Sequence, residues 1–429
     1  MKLKILELFG GIGACSKALE RLGIDYEIAD YVEIDKYAVA SYNAMHNTNF
    51  EPQDICKWNK DIEVDLIMHG SPCQDFSLAG RQAGGDEGSG TRSSLMYETI
   101  RIVEKLKPKY VIWENVKNLL SKKHRHNFDA YIKTMEQLGY TNYYQVLNAK
   151  DYGIPQNRER VFTISIRKDI NKVFTFPPKQ ELKLKLKDML EDEVEEKYYL
   201  SEDKIHSISH WKAYQKPFEK VQGKNSIVPT LTARGAGEEH SGMITYCDEL
   251  ENTTNLQEQC LHIKNNTKKG YLEAYDGDGV YINRIDKKRG TVQHETIQTL
   301  SCQPHNDLGV VVDKLPGAYG RNFGSKGKIQ NKEYCDTLTA SMGTGGGNIP
   351  VLKNNLRIRK LTPKECWRVM GFDDEDYEMA KLSGNSDTQL YKQAGNSIVV
   401  NVLEAILKIL LLQPNKEIRK GQMSIYDLN

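Results

Sequence analysis

Apolar positions in the first 170 residues fall into short runs, separated by stretches in which they repeat every three or four residues. "KILELF", "YEIADYVEID", "VDLIMHG", "YVIWENV", "YYQVLNA" and "RVFTISI" read as strands. "ACSKALERLG", "KYAVASYNAMH", "SLMYETIRIVEKLKPK" and "NFDAYIKTMEQLGY" read as helices. Gly23 closes the first helix at its C′ position, and Pro108 stops the third. A further strand is expected to end near "PQDICKWN", which makes "VDLIMHG" the fourth. This alternation predicts an α/β fold: a doubly wound, mostly parallel sheet covered on both faces.

The pattern changes near residue 180. "LKLKLKDMLEDEVEEKYYL" is charged, helical or connecting, and residues 200–355 are loop-rich with short β-like pieces. A weak repeat runs through that region. "SIVPTLTARGAGEEHSGMITY", "ETIQTLSCQPHNDLGVVV" and "YCDTLTASMGTGGGNIPVL" each carry Thr-Leu-Thr/Ser, a polar or glycine-rich loop and a second apolar run. Helices then return. "LTPKECWRVMGF" carries a capping box from Thr362 to Glu365, with Pro363 at the first helical position and Gly371 as a stop. "NSIVVNVLEAILKILLL" reads as one apolar helix on the main sheet.

Composition narrows the class only slightly. The chain has 429 residues, 39% apolar and 27% charged, as an ordinary water-soluble protein does. No uninterrupted apolar run approaches the roughly 20 residues a membrane span needs. "MKLKILELFGGIGAC" loosely mimics a lipoprotein signal, but Glu7 interrupts it and a helical pattern continues past Cys15. The eight cysteines form no C-x-x-C pair, which argues against a zinc site or disulfide framework and for a reducing compartment. Net charge is only +1, yet Lys314 to Arg368 holds eleven Lys/Arg against three Asp/Glu, a candidate nucleic-acid face.

The chemistry gathers at predicted strand ends. In "LELFGGIGACSKALE", Gly11 and Gly13 let the backbone approach a ligand at a helix N-terminus. Glu33 follows the next strand, where a carboxylate can bind ribose hydroxyls, and Asp54 could bind an adenine amino group. Ser16 stands where a dinucleotide fingerprint wants Gly or Ala, so a purely structural turn stays open. Cys73 lies in the turn "GSPCQ" beyond the fourth strand, where amides facing the sulfur would favour a thiolate. Glu114 ends "WENV", and Arg158 and Arg160 sit in "PQNRER". Each has a structural reading alone; their shared edge points to one ligand.

These blocks resemble the DNA (cytosine-5) methyltransferases of bacterial or phage type. "LELFGGIGACSKALERLG" is similar to the family's cofactor motif, "GSPCQDFS" to its Pro-Cys motif, "WENVKNL" to its Glu-Asn-Val motif and "DYGIPQNRERVF" to its Gln-x-Arg-x-Arg motif. "RKLTPKECWRVMGF" and "QAGNSIVVNVLEAI" resemble its last two, and all six stand in family order. The resemblance implies Cys73 as nucleophile, Glu114 at the cytosine N3 edge and Arg160 on O2, with Arg158 beside it. It places Phe9, Gly11, Gly13, Glu33, Asp54, Ile55, Leu95 and Asn396 around S-adenosylmethionine, with no metal.

The resemblance further implies a catalytic and cofactor domain over 1–185, completed by 393–429, and a smaller β- and loop-rich target-recognition domain over 186–392. Thr337-Leu338-Thr339 is taken as the family's Thr-Leu unit, because the basic "RKLTPKE" follows it. "SLAGRQAGGDEGSGTRSS" is expected to form a lid over a flipped base. Double-stranded DNA is the implied partner of a cytoplasmic monomer, with a cognate restriction endonuclease allowed but acting separately. Three alternatives remain: an RNA cytosine-5 methyltransferase, a nicotinamide-dependent oxidoreductase, and a non-catalytic DNA-binding relative.

Overall fold

The computed structural model describes residues 2–72, 92–199, 260–281, 290–300, 308–312, 318–320, 330–331, 351–352 and 357–414. Two compact units emerge. One comprises Met1–Val194, Glu295–Asp307 and Leu361–Asn429; the other comprises Glu195–His294 and Leu308–Lys360.

The first unit is built on β1 (Leu3–Leu8), α1 (Ala14–Arg21), β2 (Tyr26–Val32), α2 (Lys36–His46), β3 (Leu66–His69), α3 (Met96–Leu106), β4 (Tyr110–Val116), α4 (Arg125–Gln137), β5 (Tyr140–Asn148), β6 (Gln156–Asn157) and β7 (Glu159–Arg167). The main sheet runs β2-β1-β3-β4-β7-β5. Its first four strands are parallel, and β7 lies antiparallel to both β4 and β5. The expected mostly parallel sheet is therefore present. No strand forms near Asp54; its carboxylate instead accepts the Cys56 N–H at 3.0 Å in a short turn. "VDLIMHG" thus supplies the third strand, not the fourth.

Strand alternation sorts the two faces. Leu6, Leu8, Ile67, Val111 and Trp113 point one way, into a core with Met96, Ile102 and Val103 of α3 and Phe128, Tyr131 and Met135 of α4. Glu7 points to the other face, where Ser16 of α1 and Tyr42 of α2 meet it. Leu3–Leu8 therefore forms an internal strand of the sheet, between β2 and β3.

In the second unit β8 (Leu261–Lys264) pairs with β9 (Tyr271–Ala274). β10 (Gly279–Tyr281) pairs with β11 (Val292–Gln293). β12 (Ile297–Gln298) belongs to the first unit, beside β6. β13 (Leu308–Val312) extends the β10 sheet; β14 (Ala318–Gly320), β15 (Gln330–Asn331) and β16 (Val351–Leu352) form a small sheet of their own. β17 (Arg357–Arg359) pairs with β13.

Four helices complete the first unit: α5 (Pro363–Arg368), α6 (Asp374–Leu382), α7 (Asp387–Asn396) and α8 (Val400–Leu407). The capping box at Thr362 forms as expected: its hydroxyl accepts the Glu365 N–H, while the Glu365 carboxylate accepts the Thr362 N–H. Residues 361–392 do not group with the insert, because α6 is bound to α1. Lys17, only 6% exposed, places Nζ 2.9 Å from Asp373 and 3.0 Å from Asp376. Of the two readings open for "LKLKLKDMLEDEVEEKYYL", the connecting one holds among the described residues, with two short 3-10 turns; the apolar C-terminal helix, expected from Asn396, starts at Val400. The stretch Asp387–Leu412 is long and apolar enough to cross a membrane. Val400, Leu403, Ile406 and Leu407 of α8 are nonetheless buried, and α8 packs on α1, so this stretch serves the protein's own core.

Candidate active site

Sheet register brings the candidates to one level. Val32 of β2, Leu8 of β1, His69 of β3 and Trp113 of β4 lie in one row across the sheet. The next residues are Glu33, Phe9, Gly70 and Glu114. With strands roughly 4.8 Å apart, Glu33 and Glu114 are separated by about 14 Å along the carboxyl edge. β1 leads to β2 on one side while β3 lies on its other side, so this edge contains the topological switch where open α/β sheets bind ligands.

The β1–β2 end is made of close-packed backbone. Gly13 is left-handed at φ 78°, and a Cβ there would come 2.3 Å from His46 Nε2. At Gly10 a Cβ would press on the Tyr31 ring at 2.7 Å. Tyr31 stacks on Tyr42 with ring centres 3.8 Å apart and donates its hydroxyl to Gly11 O at 2.6 Å. Phe9 is half-buried at φ 53°. The Glu33 carboxylate accepts Gly11 N–H at 3.1 Å and Asp35 N–H at 2.9 Å. Burial raises its pKa above the usual carboxylate range, while those two hydrogen bonds pull it down.

Behind this turn, burial pushes Glu7 up to about 7, against hydrogen bonds from Ser16 and Tyr42. Burial also pushes the neighbouring His46 down to about 4. Ile55 is buried in the core and Leu95 packs against it, whereas Asp54 is partly exposed. Asn396 is exposed at the end of α7.

At the β3–β4–β7 end, Glu114 is 8% exposed, and its Oε1 lies 2.9 Å from Arg160 Nε. The approach is an ion-pair distance without hydrogen-bond alignment, and Oε1 has no hydrogen-bond partner among the described residues. Gly70 lies under this carboxylate: a Cβ there would be 3.9 Å from Glu114 Oε2 and 3.5 Å from Ile398. A small hollow is lined by Glu114, Arg158, Arg160, Phe162, Leu147 and Ile398, among others. Arg158 turns into the protein, 4% exposed, and donates to three backbone carbonyls. Cys73 and most of the expected lid lie outside the described residues, as do Thr337-Leu338-Thr339 and most of the basic 314–368 stretch.

Some positioning side chains were not singled out from the sequence. Trp113 and Asn115 flank Glu114, and both hold Ser71: Trp113 Nε1 donates to Ser71 Oγ at 3.0 Å and Asn115 Nδ2 to Ser71 O at 3.3 Å. The strand bearing Glu114 is thereby tied to the turn that leads into Cys73. The signal was the adjacency of "WENV" and "GSPC" in a parallel pair, which needs the register to be read. Ile34 was also missed; it is 70% exposed directly after Glu33.

Solved structures confirm the fold class. Entamoeba histolytica methyltransferase EhMeth superposes with a TM-score of 0.57 at 15% identity, over 96% of this chain and 100% of that one. Spodoptera frugiperda DNMT2 does so at 0.54 and 19%, over 95% and 99%. The fold is that of the Rossmann-like methyltransferases. The sequence matches the C-5 cytosine-specific DNA methylases over residues 3–411, and the chain belongs to that family. It is 33% identical to the orphan methyltransferase M.SPRI of Bacillus phage SPR, over 96% of this chain and 98% of that protein. It is 30% identical to the type II methyltransferase M2.ScrFI of Lactococcus lactis subsp. cremoris, over 95% and 99%. The protein is a DNA cytosine methyltransferase. Family membership removes the oxidoreductase alternative.

Proposed function

We propose that this chain is an S-adenosylmethionine-dependent DNA (cytosine-5-)-methyltransferase acting on a cytosine flipped out of a specific duplex sequence. The observation that carries this reading is the buried Glu114 carboxylate, paired out of line with Arg160 and open to a further donor. An unsatisfied buried acceptor costs about 1–3 kcal/mol, which a base presenting an N–H would offset. The target atom is out of reach inside a duplex, so the nucleotide must leave the stack, at a cost of a few kcal/mol.

The residues at the β1–β2 end suit the cofactor. A Cβ at Gly11 would meet nothing within 4 Å, leaving room for a ligand against the turn. Glu33 would accept from ribose hydroxyls, Ile34 would pack on the adenine face, and Asp54 would take the adenine amino group. Phe9, Gly13, Ile55, Leu95 and Asn396 would close around the rest. When bound, the cofactor supplies an electrophilic methyl group on a sulfonium.

Carbon 5 of cytosine is too weak a nucleophile to take that methyl unaided. In this reading the Cys73 thiolate forms a bond to carbon 6, making carbon 5 an enamine carbon. Glu114 holds the N3 edge, where charge changes during addition, and Arg160 holds O2. Carbon 5 gains the methyl group and then gives its proton to a water molecule, as the C6–S bond breaks and the thiolate leaves. Loops of the second unit would read the target in the major groove, and basic residues would contact phosphates. The enzyme would act in the cytoplasm as a monomer, with any cognate endonuclease working separately.

Methyl transfer from labelled cofactor to duplex DNA and to tRNA tests the substrate, and bisulfite sequencing reports the target. The Cys73→Ser variant is expected to bind cofactor normally and transfer no measurable methyl. Substantial turnover by that variant, or methylation of tRNA alone, overturns the reading.

A further inference from the structure

Three similar Thr-Leu units occur in the insert, at Thr230-Leu231, Thr299-Leu300 and Thr337-Leu338. Thr299 and Leu300 lie in the first compact unit, bound to the segment that carries both arginines. Ile297 N–H donates to Pro155 O at 3.0 Å, and β12 pairs in parallel with β6. Thr299 Oγ1 donates to Asn157 O at 2.8 Å. Leu300 N–H donates to Gln156 Oε1 at 3.3 Å, and Leu300 O accepts from Arg158 Nη1 at 3.1 Å. Ile297 and Leu300 are 0% and 1% exposed, so this is a packed joint.

Arg158 carries the joint further. Its Nη2 donates to Ser397 O at 2.7 Å and Gly395 O at 3.3 Å, on either side of Asn396. One guanidinium therefore ties together the β6–β7 segment, the insert segment and the α7–α8 junction. Two residues along, Arg160 faces Glu114. A planar, permanently charged fork can span three carbonyls; a lysine ammonium cannot hold the same geometry.

We propose that Arg158 and the Thr299-Leu300 unit are positioning residues, which set Arg160 and Asn396 for methyl transfer and do not read the DNA target. This rests on the function proposed above. It separates this unit from its two sequence relatives and gives Arg158, whose Nη atoms are taken up by backbone carbonyls at the wall of the hollow, a role that acts through Arg160 and Asn396.

The test uses the full-length enzyme and its methylatable duplex, with the single-turnover methylation rate, the DNA dissociation constant and the bisulfite-mapped target measured in parallel. Arg158→Lys is expected to slow single-turnover transfer about 100-fold, the scale of a roughly 1 Å misplacement. Thr299→Val, nearly isosteric, is expected to slow it about 5-fold, as one hydrogen bond is lost. Both should keep DNA affinity within about threefold and leave the target unchanged. If Arg158→Lys fails to fold, Thr299→Val carries the test. A changed target, or lost DNA affinity with an unaltered rate, would make Thr299 a reader and overturn the proposal. An unaltered rate with unaltered binding overturns it as well. Wild-type enzyme that methylates no duplex DNA in this assay would instead defeat the proposed function.

Discussion

At the β1–β2 end the polar groups are already committed: Glu33 takes two backbone N–H groups, and Tyr31 holds Gly11 O. At the β4–β7 end the Glu114 Oε1 stays without an aligned donor among the described residues, in a hollow that Arg160 shares. The first end is shaped by backbone close approach, so its form exists before any ligand arrives. The second holds an unmet acceptor, which the proposed function leaves to the substrate. Under that function, a cofactor used at every turnover would meet a preset cradle. Under it too, a base pulled from a duplex would complete the hydrogen bonding of this second site, which would favour its retention.

If this contrast is right, damage at the two ends should read out differently. Glu114→Gln should lower kcat about 10²–10⁴-fold, the range for a positioned acid–base group, while the fold persists and stability shifts by no more than about 3 kcal/mol as the Arg160 pair is lost. A variant that melts early yet keeps its kcat would break the comparison. Gly13→Ala should do the reverse and reduce stability by about 3–4 kcal/mol. The new methyl meets His46 and Tyr42 at a left-handed position, so chirality and overpacking costs add; urea unfolding measures it.

Glu7 sharpens the contrast through pH. Its carboxyl titrates near 7 when folded against about 4.5 unfolded, so the folded state binds the proton more tightly. Stability from this group is full below pH 4.5 and is lost as pH rises to 7, by about 3 kcal/mol at roughly 1.4 kcal/mol per pH unit. Glu7→Gln should remove that slope, so wild type and variant denatured at pH 5 and pH 8 should diverge only at the higher pH. His46 acts oppositely: its depressed pKa gives stability present above about 6.5 and lost as pH falls toward 4. The smallest expected effect is at Glu33. Glu33→Ala should weaken cofactor binding about 30-fold, worth roughly 2 kcal/mol of charge-assisted hydrogen bonding, with DNA affinity held. Equal loss of both affinities, by calorimetry, would remove the ribose assignment.

The chain's own pattern disclosed the strand–helix order, the Thr362 capping box and the glycine turn, because these depend on neighbours within a few residues. It also disclosed which side chains could do chemistry. It misplaced a strand at Asp54, where an Asp-led turn won, and began the last apolar helix at Asn396 where α8 starts at Val400, because the apolar Ile398 and Val399 already stand ahead of the first helical turn. Only the folded sheet decided that Glu33, Phe9, Gly70 and Glu114 stand level, since register couples residues up to 81 positions apart through backbone pairing. It likewise decided that Arg158 faces carbonyls while Arg160 faces Glu114. Side chains two apart on an extended segment look equivalent in sequence, and what each meets is set by distant chain: Leu300, Gly395 and Ser397 for one, β4 for the other.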